Sequence, residues 1–354
     1  MLFRRKNVEP SETTGENAIA NLEVAGLSQR QIVFKRFVHH RAAMISLFTL
    51  IFAIAFVFSS LDNTLFFFHY HGWWHYGFTD TPDLALCKNG SIGCPTINVN
   101  PFSGHFGLGD HPFGQDNIGH DYFALVMRGA QRSLLVTFII GAIAGTIGTV
   151  VGSIAGFYRG TVDNVLMRFV DFLITIPSII IGSVVGYHFG NLGITFLAFY
   201  LGLFTWTGLS RLVRGEFLSL REREFVDAAR VAGASNRRII FKHILPNAVG
   251  VIIVSVTLLM SSAILLETAL SYLGFGVIAP DVSLGLLISN YQDAFTTRPW
   301  LFWYPGLFIV MIALTINFIG DGLRDAFDPR QRRRITKKDR QEATRIKKER
   351  ESLS

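Results

Sequence analysis

Six stretches of 354 residues are free or almost free of charge and long enough to cross a bilayer: 42–61, 133–157, 165–189, 192–210, 248–266 and 301–320. Each approaches the ~20 residues that a helix needs to span the hydrocarbon core. The pattern predicts an all-α, polytopic membrane protein with six transmembrane helices. Ahead of the first span the periodicity changes. Ile32, Val33, Phe34, Phe37 and Val38 recur on one helical face, with Arg30, Lys35, Arg36 and Arg41 opposite. This reads either as an amphipathic helix lying in the interface or as an extension of the first span.

The polar segment between the fourth and fifth spans, 211–247, is far longer than a turn requires. Ser219 with Glu222 three residues on resembles a capping box, Gly233 is a C-terminal stop, and Ser235 can cap a second helix that Pro246 would end. Two folded helices standing outside the spans predict a docking surface.

Charge then gives the orientation. Lysine and arginine number seven before the first span, eight in 211–247 and twelve from Arg324 to Arg350, against two in 62–129 and one in 267–300. By the positive-inside rule both termini and the 211–247 segment are expected on the cytoplasmic side of a cell membrane. The chain divides accordingly into an N-terminal tail with its interfacial helix (1–41), a first span (42–61), an extracytoplasmic segment (62–132), a core of spans (133–320) and a basic tail (321–354). The net charge of +7 resides between spans and in the tails, which suits a lipid bilayer and gives no reason to expect nucleic acid. With 50% hydrophobic and 17% charged residues, composition excludes an ordinary soluble domain.

Candidate chemistry is sparse. His69, His71 and His75 sit among aromatics just beyond the first span and are the only candidates for a metal site. No acidic or thiolate residue stands at ligand spacing, so neither metal nor cofactor is expected. Cys87 and Cys94 face the oxidising side and can close a local disulfide around a Gly90/Gly93 turn. Gly141, Gly145, Gly148, Gly152 and Gly156 follow helical spacing and permit close helix approach. Within the spans, Arg168 and Asp171 are spaced to pair on one face, Pro177 should kink its helix, and Glu267 either faces a water-filled path or ends its helix. No P-loop, His-Glu-x-x-His helix or Gly-x-Ser-x-Gly elbow occurs, so the chain is not expected to be an enzyme or to bind ATP itself. Nearly charge-free spans disfavour a stand-alone channel or secondary transporter and favour energy supplied by a partner.

The segment Asp227-Ala228-Ala229, Gly233 and His243-Ile244-Leu245-Pro246 resembles the EAA loop of ABC-importer permeases, with Asp in place of Glu and His243 in place of Ile. Three further stretches are similar to the C-type permease of the peptide/nickel branch. These are 111–121 (His-Pro-Phe-Gly-Gln-Asp-Asn-Ile-Gly-His-Asp), 269–276 (Ala-Leu-Ser-Tyr-Leu-Gly-Phe-Gly) and 320–330 (Gly-Asp-Gly-Leu-Arg-Asp-Ala-Phe-Asp-Pro-Arg). The match covers most of 28–330; the insert 65–110 is longer than the family needs. The resemblance implies a type I importer permease architecture and a heterodimeric pore with a second, related permease. It further implies two ATPase subunits and an extracytoplasmic substrate-binding protein. Peptide is the expected substrate, with a nickel complex as the alternative. It also assigns ATPase coupling to Arg223, Asp227, Ala228, Ala229, Arg230, Gly233, His243, Leu245 and Pro246.

Overall fold

A computed structural model describes residues 29–65, 68–85, 92–99, 106–107 and 109–328. The amphipathic segment is a separate helix, α1 (Gln29–His39), followed after one residue by the first span, α2 (Arg41–Ser60). His40 makes the corner: its ring Nδ1 accepts from the Ala43 N–H at 3.1 Å, capping α2. Beyond α2 come two short antiparallel ribbons, β1 (Asn63–Leu65) with β2 (Phe68–Tyr70) and β3 (Asn98–Val99) with β4 (Phe106–Gly107). In the first, Asn63 lies opposite Tyr70 and Leu65 opposite Phe68.

The remaining helices are α3 (Tyr122–Tyr158), α4 (Gly160–Thr175), α5 (Ser178–Phe189), α6 (Ile194–Thr205), α7 (Thr207–Arg221), α8 (Glu224–Val231), α9 (Asn236–Tyr272), α10 (Leu284–Tyr291) and α11 (Trp300–Phe327). Of all the described helices four, α2, α3, α9 and α11, are long and apolar enough to cross a membrane unaided. Two bent pairs bring the number up to six: α4 with α5, turned by 74°, and α6 with α7, turned by 41°. The first bend falls at Pro177, where sequence predicts a kink; Ile176 before it is extended, as a residue preceding proline tends to be.

Helix α3 starts at Tyr122, eleven residues ahead of the predicted 133. The apolar pattern breaks at Arg128, Gln131 and Arg132, but all three are partnered. Both arginines reach Asp281, at 3.3 and 2.9 Å, and Gln131 donates to the Val57 carbonyl at 2.9 Å.

Helices in a bilayer gain little from the hydrophobic effect and rely on close packing. The glycine row of α3 divides this task between two partners. Gly141 and Gly145 lie against Met260 and Val256 of α9, while Gly148, Gly152 and Gly156 lie against α7. A Cβ on Gly152 would sit 2.4 Å from the Ser210 carbonyl oxygen, and one on Gly156 2.7 Å from that of Arg214. Helix α3 is thus the central post: α7 seats on its C-terminal half and α9 on its middle. At the other edge α1 and the end of α11 are tied together by Arg36 to the Asp328 carbonyl (3.0 Å) and His40 to Asp325 (3.3 Å).

Candidate functional site: the helical hairpin between the fourth and fifth spans

Helix α7 runs through Ser219 to Arg221, so Ser219 lies inside a helix and does not cap the next one; the expected capping box is absent. The chain instead turns at Glu222 and restarts at Glu224, with Arg223 in the extended N-cap position. Glu224 and Asp227 occupy the first turn of α8 and Arg230 the last, the arrangement that suits the helix dipole.

The end of α8 is a complete Schellman motif. Ala234 N–H donates to the Ala229 carbonyl at 3.0 Å and Gly233 N–H to the Arg230 carbonyl at 2.9 Å. Gly233 takes φ +77, the left-handed conformation that only glycine adopts without strain. Ser235 then stands extended in the N-cap position of α9, its side chain making no capping bond.

Pro246 does not end the second helix. Asn236–Tyr272 continues as one helix, and the turn before the proline, Ile239–Ile244, is π-helical. Leu245 N–H bonds back five residues to the Ile240 carbonyl. In a regular α-helix the proline ring would crowd the carbonyl four residues earlier; the wider turn relieves that crowding and the helix passes through.

The two faces of the hairpin differ. Val226 is fully buried, with Ile239, Ile240 and Ile244, in a cluster that includes Phe157 of α3 and Leu209, Val213 and Phe217 of α7. Ala229 and Leu245 pack against its edge. The opposite face carries Asp227, Ala228, Arg230, Val231, Gly233 and Phe241, all exposed, and Val231 is 91% accessible. Asp227 and Arg230 pair at 3.0 Å across one turn, an exposed bridge that contributes little stability and holds two polar groups in a fixed place. His243 is half-buried, and its carbonyl accepts from Asn247 at 2.6 Å. A small, polar-edged face therefore rests on an apolar foot inserted between three spans.

Ion pairs link the foot to its surroundings. Asp171 does not pair with Arg168 as its spacing suggested; it meets Arg211 of α7 at 2.5 Å, because the bend between α4 and α5 lays α4 along α7. Buried Asp163 holds Arg214 in a two-point bridge at 2.5 and 2.6 Å, and Arg159 reaches Glu222 at 2.7 Å. Sequence reading missed Asp163, whose partner is 51 residues away.

Glu267 neither faces an open path nor ends α9. It is fully buried and accepts from Ser133 of α3 at 3.0 Å and from Ser271 at 2.8 Å; Ser283, the cap of α10, bonds on to Ser271. The carboxyl thus ties α3, α9 and the start of α10 together.

At the N-terminal end of α3, the 111–121 stretch is a polar knot that spacing did not reveal. Asp121 caps α3 through Ala124 N–H and accepts from Trp74 (2.7 Å), with the His111 ring at 2.9 Å. Burial pushes its carboxyl up, and these hydrogen bonds only partly oppose that. Asp116 accepts from the Ile118, Gly119 and His120 N–H groups and from the Tyr291 hydroxyl, and faces the His120 ring at 2.7 Å. Burial pulls its carboxyl up too, but the His120, Ile118 and Tyr291 bonds outweigh it and hold the group below the ordinary value. Tyr291 is 175 residues away, beyond any local signal.

Of the histidine candidates, the His69 side chain lies outside what the structure describes, His71 meets Asp62 at 3.4 Å and the His75 ring lies against Trp74 and Tyr76; no group of three metal-binding side chains is present among the described residues. Cys94 is not a free thiol, and Cys87 lies outside the described residues.

Residues 148–333 match the family described as binding-protein-dependent transport system inner membrane component. The oligopeptide transport system permease protein OppC of Escherichia coli K12 is 37% identical over 333 residues, 94% of this chain and 100% of that protein. The OppC of Mycobacterium tuberculosis H37Rv is 42% identical over 223 residues, 63% of this chain and 77% of that one. Among solved structures, the methionine ABC transporter MetNI, inward facing, aligns with a TM-score of 0.49 at 20% identity, covering 58% of this chain and 96% of that chain, too loose a likeness to add to the rest.

Proposed function

Since the chain belongs to the binding-protein-dependent transport system inner membrane components, we propose that it is one half of a heterodimeric pore that imports peptides, driven by two separate ATPase subunits. A related second permease completes the pore, and an extracytoplasmic binding protein delivers the peptide. Both termini and the α8–α9 hairpin lie on the cytoplasmic side, where the lysines and arginines concentrate. The peptide substrate is taken from the OppC relatives, oligopeptide permeases by name that match nearly the whole chain.

The observation that carries this reading is the two-faced hairpin. Its exposed face, with Asp227, Ala228 and Val231, presents a small surface to a partner, and its buried face ties Val226 to three spans at once. Closure of the ATPase pair moves α8, and a rigid foot passes that movement to α3, α7 and α9. Gly233, the Schellman residue, sets the angle between the docking helix and the rod that follows, while Arg223, Ala229, Arg230, His243, Leu245 and Pro246 shape its edges.

Gly233→Pro tests the assignment. Proline cannot donate to Arg230 and cannot reach φ +77, so the hairpin should open while the spans still insert. Cells carrying the variant should keep the protein in the membrane and lose ATP-dependent peptide uptake. Normal uptake by that variant would sink the coupling role, and flux in liposomes holding this chain alone would point to an autonomous channel.

A further inference from the structure

Both broken spans place their breaks against one cavity. Ser178 opens α5 directly after the bend at Pro177; Thr205 and Gly208 flank the bend between α6 and α7; and Ser255, Leu258 and Ser262 of α9 form the facing wall. The space is about 350 Å³, at the small end of ligand sites and of a size for a short run of peptide. Broken helices in a membrane are tolerated where they line a cavity, and such breaks mark substrate sites.

Three of the four hydroxyls in the lining, all but that of Ser178, are polar in one specific sense. None of the lining residues is charged. Ser255 gives its hydroxyl proton to the Val251 carbonyl (2.8 Å), Ser262 to Leu258 (3.1 Å) and Thr205 to Leu201 (2.9 Å). A hydroxyl has one proton and two lone pairs. With the proton committed to the helix, each presents only an acceptor. Between these acceptors stand leucine side chains, including Leu258 and Leu266.

We infer that this cavity is a transit site for the peptide main chain, which engages N–H groups through Thr205, Ser255 and Ser262 and leaves side chains against leucine. Main-chain N–H groups are common to nearly all peptides, whereas a carboxylate finds no cation here. The site therefore passes peptides of varied sequence and does not select among them by charge. Ser255 and Ser262, seven residues apart, stand about 10 Å apart along α9 and contact successive parts of an extended segment. This inference rests on the peptide-importer reading above.

The test uses the complete importer, with second permease, ATPases and binding protein, in proteoliposomes. Gly208→Leu fills the void; a Cβ at Gly208 meets nothing within 4 Å, so the fold has room for it. It should slow uptake of a tripeptide with ATPase assembly intact. A Ser255→Ala, Ser262→Ala double variant adds no bulk and should slow uptake by about fivefold or more for the acceptors lost. Independently of any folding defect, Ser262→Cys should react with a maleimide in the resting importer and be protected when peptide-loaded binding protein and ATP are supplied. Wild-type uptake rates in both the filled and the double variant, or labelling of Ser262→Cys unchanged by peptide, overturn the transit site. Wild-type liposomes that take up no peptide overturn the importer reading itself, and the transit site with it.

Discussion

Single residues decide the close contacts of this protein. Gly152 lets α7 approach α3 so closely that any side chain meets the Ser210 carbonyl. Gly152→Val should destabilise the bundle by about 1–3 kcal/mol, the usual cost of overpacking, read as a lower thermal midpoint in detergent. Gly208→Val, in open space, should leave that midpoint nearly unchanged. Glu267 makes the opposite case, a side chain whose removal leaves others stranded. Glu267→Ala strips the acceptor from Ser133 and Ser271 and should cost about 2–4 kcal/mol with the cavity it leaves. Glu267→Gln keeps the shape and one of the two acceptors, its NH2 turning a donor to the other serine, and should cost less than the alanine. At Asp116 the sign of a pH effect is fixed. Its folded carboxyl titrates below the ordinary value, so its stabilising contribution is full above that value and is lost as pH falls through the folded one. Hydrogen exchange at Ile118, Gly119 and His120 should therefore accelerate on acidification below about pH 4, and Asp116→Asn should remove that dependence.

At the scale of elements, apolar runs and punctuation were good guides where physics is local. The six runs all proved to be helical, Pro177 broke its helix, and Gly233 closed α8, since helix length, the proline ring and positive φ each act within a few residues. Three expectations failed for reasons that spacing cannot carry. Ser219 had the chemistry of a cap, but the apolar face of α7, with Val213 and Phe217 buried, runs on past it. Pro246 looked like a stop until a π turn absorbed it. Arg168 and Asp171 were neighbours on one helix, yet a bidding partner on another, Arg211, stood closer. The hairpin was visible as an overlong polar segment, but its buried foot was not, because the exposed Phe225 and Val231 look as apolar in sequence as the buried Val226, whose partners are scattered over α3, α7 and α9. Replacing Val226 with Asp puts an unpaired charge into that cluster and should uncouple ATP hydrolysis from uptake before it prevents insertion, measured as ATPase activity retained while transport falls.

The whole molecule turns on the length of α9. At a rise of 1.5 Å per residue, its 37 residues measure about 55 Å from the hairpin to the far end. Had Pro246 cut it, the hairpin would hang from the membrane by a hinge; the π turn makes one beam of the two pieces. That beam rests on α3 where Gly141 and Gly145 meet Met260 and Val256, closer to its C-terminal end than to the hairpin. A beam on a fulcrum moves in opposite senses at its ends. A rotation of about 10° there would carry the hairpin end roughly 6 Å one way and the C-terminal end about 4 Å the other, by the same helical rise. The C-terminal end carries Glu267, which ties it to α3 and to the start of α10, and the wall of the cavity lies across the fulcrum. On the importer reading proposed above, a push at the hairpin is therefore expected to move the two ends of α9 in opposite senses, with the longer stroke at the hairpin.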